Sequence, residues 1–424
     1  MNWDRVLRLS AWTDGQAAAE LADAPDHDGT QWRDTRVNTL RLLQAGFREG
    51  ATEAPGSISE SAWAVTESAA ADPDPSPEAE ASALEGGQGP SGQSLNHVRP
   101  QALATAIAFA LWARRGDPGT DLSAFWDLLD RHLDPGQEPS QAVRWVYGES
   151  FAKLAYLDRE WTAAHASEVF PGSPAERDLW EAAWDAYLTY TPVIPELFTM
   201  LTDQYQMAAD RLQPDATGQR PEARAFGLGR HLLTLYWLGK LTFDGNRQLL
   251  RRYYHNGPAS VRNHLMRFLA RSISGASTLD LPVAGRLREL WESRVQAVRN
   301  GADATELAAF GEWFGAGKLG DDWELQQVIT ALSLAGRIES EHEAIPRLAA
   351  LAPAHTSTCM TILEAWVRTS PQPWTLQQYE ESIRAILKAG IASGDAGTAE
   401  TATAIVSLCI QAGIDLRDAL ADDQ

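Results

Sequence analysis

The stretch Val169–Leu212, VFPGSPAERDLWEAAWDAYLTYTPVIPELFTMLTDQYQMAADRL, decides how this chain folds. Ser173, Pro174 and Glu176 have the spacing of an N-cap, a first helical residue and a third helical residue. At these positions a hydroxyl and a carboxylate can accept hydrogen bonds from the free N–H groups of the first turn. The stretch therefore predicts two amphipathic helices, each with a defined start, joined by a short turn that contains proline.

Aromatic residues at helical spacing predict where the core lies. Trp180, Trp184 and Tyr187 recur at positions i, i+4 and i+7, which places them on one face of a helix. Other tryptophans lie within similar helical patterns: Trp112, Trp126, Trp145, Trp161, Trp237, Trp291 and Trp366. Such stripes usually pack helix against helix, so we interpret them as core and not as ligand platforms.

The rest of the sequence extends this helical pattern. From Val98 onward, apolar residues follow helical spacing, and glycine or proline interrupts the pattern at every break. No alternating β-branched run indicates a strand. We therefore predict an all-α fold, a degenerate helical-repeat (α-solenoid-like) array of antiparallel helix pairs without a strict repeat period.

Composition divides the predicted fold into three segments. Residues 1–50 are predicted to form short helices. No lysine or arginine occurs between Glu49 and Val98, and the run AAADPDPSPEAEASALEGGQGPSGQS has no aromatic residue, so residues 51–97 are predicted to be a disordered acidic linker. Residues 98–424 are predicted to form the helical-repeat body.

Composition also limits the classes of function. No apolar run approaches the roughly 20 residues that span a bilayer, and the first 15 residues lack the pattern of a secretory signal, so a cytoplasmic protein without membrane contact is expected. Cys359 and Cys409 are far apart and have no neighbouring ligand, which predicts buried thiols without a disulfide. The excess of arginine over lysine, with abundant alanine and glycine, suggests a GC-rich bacterial coding sequence.

Charge is distributed unevenly along the chain. The formal net charge is -21, which disfavours nonspecific binding of the whole protein to DNA or anionic membranes. The segment from Arg220 to Arg299, however, contains fourteen basic residues and five acidic ones, so its local net charge is +9. This asymmetry fits either a basic face for an acidic partner or an internal match between the middle and the ends of the chain.

Known catalytic and cofactor motifs do not fit this sequence. Gly315–Gly320 reads GAGKLG and matches G-x-G-x-x-G, but it lies between two predicted helices and not after a strand, so we interpret it as a loop without a nucleotide. The nine histidines form no metal-binding spacing, and no nucleophile motif occurs. We predict no catalytic residue, cofactor or metal.

One patch combines charge with aromatic rings. It lies in RQLLRRYYHNGPASVRNH, residues 247–264, and its candidate partner-binding residues are Arg247, Arg251, Arg252, Tyr253, Tyr254, His255 and Arg262. Guanidinium groups beside exposed aromatic rings suit phosphate contacts and base stacking. The alternative is that the arginines complement the dipole of a helix C-terminus while the tyrosines pack in the core.

Three stretches carry a family resemblance. EVFPGSPAERDLWEAAWDAYLTY (168–190), FTMLTDQY (198–205) and FGEWFGAGKLGDDW (310–323) resemble the helical C-terminal region of large bacterial defence-type proteins. The resemblance covers the chain from about Val143 onward. In that family this region follows an effector such as a sirtuin-like NADase, or a STAND-type NTPase core, and is not itself catalytic.

The resemblance implies a module that acts through a partner. This sequence has neither a P-loop nor an α/β effector, which leaves open a fragment, a split gene or a free-standing relative. We therefore predict a non-catalytic helical-repeat interaction or sensing module that binds a protein and belongs to a bacterial defence system. The alternatives are a nucleic-acid-binding protein that uses the basic segment 220–299 and an enzyme with an unrecognised site.

Overall fold

The computed structural model of the protein describes residues 1–23, 30–50, 52–369 and 373–420. Within these ranges the regular structure is entirely helical, so the fold is all-α as predicted. None of the described helices combines the length and the apolar character needed to cross a bilayer. By its internal contacts the chain divides into two compact units, Met1–Gln204 and Tyr205–Gln424. This division differs from the predicted one, which placed boundaries near residues 50 and 97.

The described residues of the first unit form eleven α-helices and the beginning of a twelfth. They are α1 (Trp3–Asp23), α2 (Thr30–Gly46), α3 (Ser59–Ala70), α4 (Pro77–Glu85), α5 (Pro90–Asn96), α6 (Val98–Gly116), α7 (Ser123–Leu133), α8 (Gln141–Leu157), α9 (Arg159–Val169), α10 (Arg177–Tyr190), α11 (Pro195–Met200) and α12 (Thr202–Asp210). α12 contains the point at which the two units divide.

Packing in the first unit is organised around α6 and α8. α6 contacts α2, α3 and α8, and α8 packs along α10. The predicted stripe of Trp180, Trp184 and Tyr187 is fully buried on α10, which confirms its assignment to the core. Ser173 caps a single 3-10 turn, Pro174–Glu176, and the α-helix itself begins at Arg177. The predicted start of this helix is therefore correct to within a turn.

The disordered linker predicted over residues 51–97 is corrected by the structure, which places α3, α4 and α5 in residues 52–97. Ala62, Val65 and Ala69 are buried, and α3 packs along α6. Alanine has a high helix propensity, and its small side chain lets two helices approach closely. A composition rich in alanine therefore gave an incorrect expectation of disorder.

Acidic residues of this segment also stabilise its folded form. Both carboxylate oxygens of Asp74 are used: one lies 2.7 Å from Nδ1 of His97, and the other accepts the Val98 N–H at 2.8 Å. Asp72 pairs with Arg36 on α2. Because Arg36 and Val98 lie outside residues 52–97, these carboxylates hold the segment in place and do not simply solvate it.

The second unit continues from the end of α12. Its helices are α13 (Gln219–Trp237), α14 (Leu249–Asn256), α15 (Arg262–Gly275), α16 (Leu281–Arg299), α17 (Phe310–Ala316), α18 (Asp321–Ala335), α19 (Glu341–Leu351), α20 (Thr356–Thr369), α21 (Pro373–Gln378), α22 (Glu380–Ala392) and α23 (Ala396–Gln411). The Gly315–Gly320 loop lies between α17 and α18, as predicted.

Helices of the second unit contact one another in two rows. One row runs α13, α15, α17, α19 and α22, and the other runs α16, α18, α20 and α23, each helix contacting the next in its row. Such neighbour-to-neighbour contacts are typical of stacked helix pairs. They favour the helical-repeat interpretation, which stays a prediction because no regular repeat length accompanies it.

Several basic side chains of the second unit donate hydrogen bonds to carbonyl groups at or near helix ends. Arg286 donates to the Trp237 carbonyl at the end of α13 (2.7 Å), and Lys318 donates to the Ile273 carbonyl near the end of α15 (2.9 Å). Arg347 donates to the Phe314 carbonyl in α17. A positive charge at a helix C-terminus satisfies free carbonyl groups and complements the helix dipole. Of these three cations only Arg286 belongs to the basic segment 220–299, and its acceptor, Trp237, lies in the same segment.

Candidate functional site

The predicted site surrounds α14, and the chain enters this helix through an unusual turn. Asn246, Arg247 and Gln248 all have positive φ values, of 48°, 59° and 57°. Residues other than glycine rarely adopt this conformation, which costs roughly 1 kcal/mol or more at each position. The turn is held by the Gly245 N–H, which donates to Thr242 Oγ1 at 3.0 Å. Because backbone strain often accompanies function, the turn draws attention to the start of α14.

The sequence of α14 sorts its residues onto two faces. Leu249, Leu250 and Tyr253 are buried, whereas Arg251 and His255 are exposed. Leu249 and Tyr253 are four positions apart, and so are Arg251 and His255, so each pair shares a face of the helix. The helix therefore packs through its apolar face and leaves its cationic face accessible.

Both tyrosines of the predicted patch belong to the core. Tyr253 is 1% exposed and donates its hydroxyl to the Ala225 carbonyl at 2.9 Å, and Tyr254 is 7% exposed. The guanidinium of Arg294 lies 4.2 Å from the centre of the Tyr254 ring. Burial raises the pKa of both phenols, which keeps them neutral. The prediction of exposed rings for base stacking is therefore wrong, because these rings are covered by neighbouring helices.

Two arginines of the patch form partly exposed ion pairs. Arg251 Nε lies 2.8 Å from Asp244 Oδ1, and Arg252 Nη1 lies 2.6 Å from Asp210 Oδ1. The side chains of Arg251 and Arg252 are 56% and 41% exposed. Pairs of this kind typically contribute less than about 1 kcal/mol, because water screens them. The carboxylates orient the guanidinium groups without enclosing them.

The other two arginines of the patch lie elsewhere. Arg247 donates to Gln206 Oε1 at 3.1 Å. Arg262 donates to the carbonyls of Tyr254 (2.8 Å) and Gly257 (3.0 Å), at the end of α14. Arg262 therefore has the helix-capping role that the sequence analysis left open as an alternative.

A cavity of about 830 Å³ opens beside α14. Four of the seven predicted residues line it: Arg251, Arg252, Tyr254 and His255. We call it the α14 cavity. The structure therefore brings the exposed cationic residues of the patch together on one wall, whereas Tyr253, Arg247 and Arg262 are outside it.

The opposite wall belongs to α16, which sequence reasoning missed. Ser293, Gln296 and Asn300 line the cavity, and Gln296 Nε2 donates to Asn300 Oδ1 at 3.1 Å. These residues occupy positions i, i+3 and i+7, so they form a polar stripe near the C-terminal end of a helix. That stripe is visible in the sequence, but nothing in the sequence places it beside α14.

A buried ion pair supports the cavity wall. Arg294 and Glu306 are almost fully buried, and their nearest atoms, Nη2 and Oε1, lie 2.7 Å apart. Burial opposes the charge of Arg294, but the hydrogen bonds that Arg294 donates to the negatively charged Glu306 outweigh it, so the pKa of Arg294 is raised. Above this pair, the buried hydroxyl of Tyr254 has no hydrogen-bond partner among the residues that the structure describes. A buried hydroxyl without a partner is costly, and a bound ligand or water could satisfy it.

These side chains suit the binding of anionic groups. The lining offers guanidinium and amide N–H donors, which bind carboxylate or phosphate oxygens.

No protein-family model matches the sequence, and comparisons with curated proteins and with solved structures give no match either.

Proposed function

We propose that this protein is a non-catalytic interaction or sensing module and that the α14 cavity receives an anionic group of its protein partner. The observation that carries this proposal is the placement of Arg251 and Arg252, partly exposed, on one wall of a cavity of about 830 Å³. A carboxylate or phosphate of the partner can bind these guanidinium groups through paired hydrogen bonds.

The energetics of the ion pairs at this site allow Arg251 and Arg252 to exchange one anionic partner for another. Asp244 and Asp210 already hold the guanidinium groups in place, so little side-chain entropy is lost when a ligand binds. The existing pairs are exposed and individually weak, so an incoming anion can replace or share them at low cost. Arg251 and Arg252 are thus both preorganised and available.

Two observations make nucleic acid the weaker alternative. The tyrosine rings that would stack on bases are buried. Binding to a polyanion also works against the net charge of -21. A single anionic group on a protein surface fits the α14 cavity better than a nucleic-acid backbone does.

The defence resemblance belongs to this proposal as a prediction about the partner. A module of this kind acts through an effector, so the partner would carry an NTPase or NADase activity that this chain lacks. The neighbour-to-neighbour packing of the second unit is compatible with a repeat surface for such a partner.

The proposal is tested by quantitative affinity capture of the tagged chain from the organism that encodes it. The double variant Arg251→Glu and Arg252→Glu removes the cationic wall. Arg368→Glu is a matched control, because Arg368 is similarly exposed and pairs with Glu364 on α20. We expect the wild type and the control to retain the same protein after nuclease treatment, and the double variant to retain at least about tenfold less. Equal recovery by all three would contradict the proposal, as would recovery of nuclease-sensitive material alone.

A further inference from the structure

A second cavity, of about 600 Å³, lies within the first unit. It opens between the turn that joins α3 to α4, helix α7 and the loop before α8. Pro77, Leu84, Leu128 and Pro139 contribute apolar surface to its wall. We call it the α4 cavity. It is independent of the α14 cavity, and nothing below rests on the proposed partner.

One carboxylate of this cavity is fully paired. Glu138 Oε2 lies 2.7 Å from Arg99 Nε and 2.9 Å from His132 Nδ1, and Glu138 itself is 4% exposed. Burial on its own would raise the pKa of Glu138, but His132 and Arg99 outweigh it, so the pKa is lowered. Glu138 therefore carries a negative charge that its neighbours neutralise.

A second carboxyl group in the same wall has no cation beside it. Glu80 is 6% exposed, and its Oε1 accepts the Ala142 N–H at 2.8 Å. No ion pair among the described residues includes Glu80. Burial raises the pKa of Glu80 and outweighs the opposite effects of the Ala142 N–H, the Ser140 hydroxyl and the charge of Arg99, while the charge of Glu138 adds to the increase. Glu80 is thus a buried acid at a cavity wall that forms no ion pair of its own.

We propose that the α4 cavity binds a small organic cation, an ammonium or guanidinium group on an apolar body, with Glu80 as its counter-ion. A buried carboxylate gains most from a cation that also forms hydrogen bonds to it. The apolar wall offers contact to the remainder of such a ligand. A metal ion fits less well, because no group of three or more ligating side chains occurs in the described ranges.

The charge around the cavity favours a cation. Its lining contains four carboxyl groups, of Glu67, Asp72, Glu80 and Glu138, and two guanidinium groups, of Arg99 and Arg131. His132 is the remaining titratable group at the wall. Three of the acids already have a cationic partner, Glu67 with Arg131, Asp72 with Arg36 and Glu138 with Arg99, so Glu80 is the acid whose charge a bound cation would balance.

Binding should release a proton from the protein. Without a ligand the pKa of Glu80 is raised, whereas a bound cation favours the ionised form of its carboxyl group and lowers that pKa. Affinity should therefore rise with pH as Glu80 ionises, for as long as the ligand keeps its own charge. A neutral ligand of the same shape should show neither effect.

The test compares 2-phenylethylammonium with neutral 2-phenylethanol by titration calorimetry on the whole chain. Measurements between pH 5 and 8 in two buffers of different ionisation enthalpy give the number of protons released. We expect the ammonium probe to bind at least about tenfold more tightly than the alcohol. Equal affinity of the two probes, or an affinity of the ammonium probe that falls as pH rises while the probe stays charged, would overturn the proposal.

Three variants complete the test. Glu80→Gln keeps an oxygen that accepts the Ala142 N–H, and it should weaken the binding of the ammonium probe at least about tenfold. Glu78→Gln, on the exposed side of the same helix, should leave affinity unchanged. Ala81→Trp fills the cavity from an exposed position on α4, so it should block the probe without unfolding the protein. Full binding by Glu80→Gln or by Ala81→Trp would overturn the proposal.

Discussion

Single indole groups link the helices of the second unit. Trp291 donates its Nε1–H to Gln327 Oε1 at 3.0 Å, and Trp313 donates to the Met266 carbonyl at 2.8 Å. Trp366 donates to Glu341 Oε1, also at 2.8 Å. Each of these rings buries a large apolar area and satisfies its one polar atom on a different helix. The tryptophans therefore fix the position of neighbouring helices in addition to filling space.

Burial should protect the thiols of both cysteines from chemical modification. Cys359 and Cys409 are free and buried, and burial raises the pKa of their thiols to about 12 and about 11. The reactive thiolate is therefore scarce at neutral pH. We expect a disulfide reagent such as DTNB to label neither cysteine in the native protein and both in urea. Rapid labelling of either one before unfolding would contradict this prediction.

Two of the carboxyl groups of the α4 cavity, Glu138 and Glu80, should respond to substitution in opposite ways. Glu138→Gln leaves Arg99 and His132 without their shared anion, so we expect a loss of about 3–5 kcal/mol in the free energy of unfolding at pH 7. Glu80→Gln removes a carboxyl that resists ionisation, so it should stabilise the protein at pH 7. Urea unfolding of both variants at neutral pH measures these changes.

The pH dependence of the Glu80→Gln effect follows from the raised pKa of Glu80. In the wild type, the contribution of Glu80 to stability is complete below its unfolded pKa and is lost as pH rises through its higher folded pKa. The advantage of Glu80→Gln should therefore be small at pH 4 and grow toward pH 7. An advantage that shrinks with rising pH would contradict this assignment.

A close contact between helices α8 and α10 gives a test of helix packing. At Gly148 on α8, an added Cβ would lie 2.0 Å from the Ala183 carbonyl oxygen of α10. Gly148→Ala should therefore force the helices apart and destabilise the protein by about 3 kcal/mol. Gly285→Ala is the matched control, because Gly285 lies on α16 with no atom within 4 Å of an added Cβ. It should stabilise the protein by about 0.5–1 kcal/mol. Thermal unfolding of the two variants measures these changes in stability. An equal change in both variants would exclude the close contact between α8 and α10.

The elements also show what could be predicted from the sequence. The stripe of Trp180, Trp184 and Tyr187 was predictable because periodicity alone identifies the buried face of a helix. The burial of Tyr253 and Tyr254 was predictable in the same way, since each lies four residues after a leucine, Leu249 or Leu250. Both interpretations of the patch were open in the sequence, and the structure supports the one in which the tyrosines pack in the core.

Other features depend on contacts that periodicity does not contain. The Glu80 carboxylate accepts a hydrogen bond from Ala142, 62 residues later in the chain, so composition alone could not place the segment 52–97 in a folded unit. Likewise, the cationic wall of the α14 cavity was predictable from Arg251 and Arg252, whereas the α16 wall was not. Long-range partners determine both results.

At the scale of the whole molecule, the net charge of -21 argues against binding to nucleic acid. We expect no saturable binding of a 30-nucleotide single strand or duplex up to roughly 100 μM protein at about 150 mM salt. Fluorescence anisotropy measures this directly. Micromolar binding that weakens steeply with salt and is lost in an Arg251→Ala, Arg252→Ala variant would favour the nucleic-acid alternative.

The central claim is that a protein partner binds at the α14 cavity, and site-specific photocrosslinking in the native organism tests it most directly. His255, exposed at the cavity, is replaced by p-benzoylphenylalanine in one tagged chain, and Arg368 is replaced in a second chain as the control. We expect a crosslink to one protein species from position 255 and none from position 368. The same crosslinks from both positions, or none from position 255, would contradict the claim.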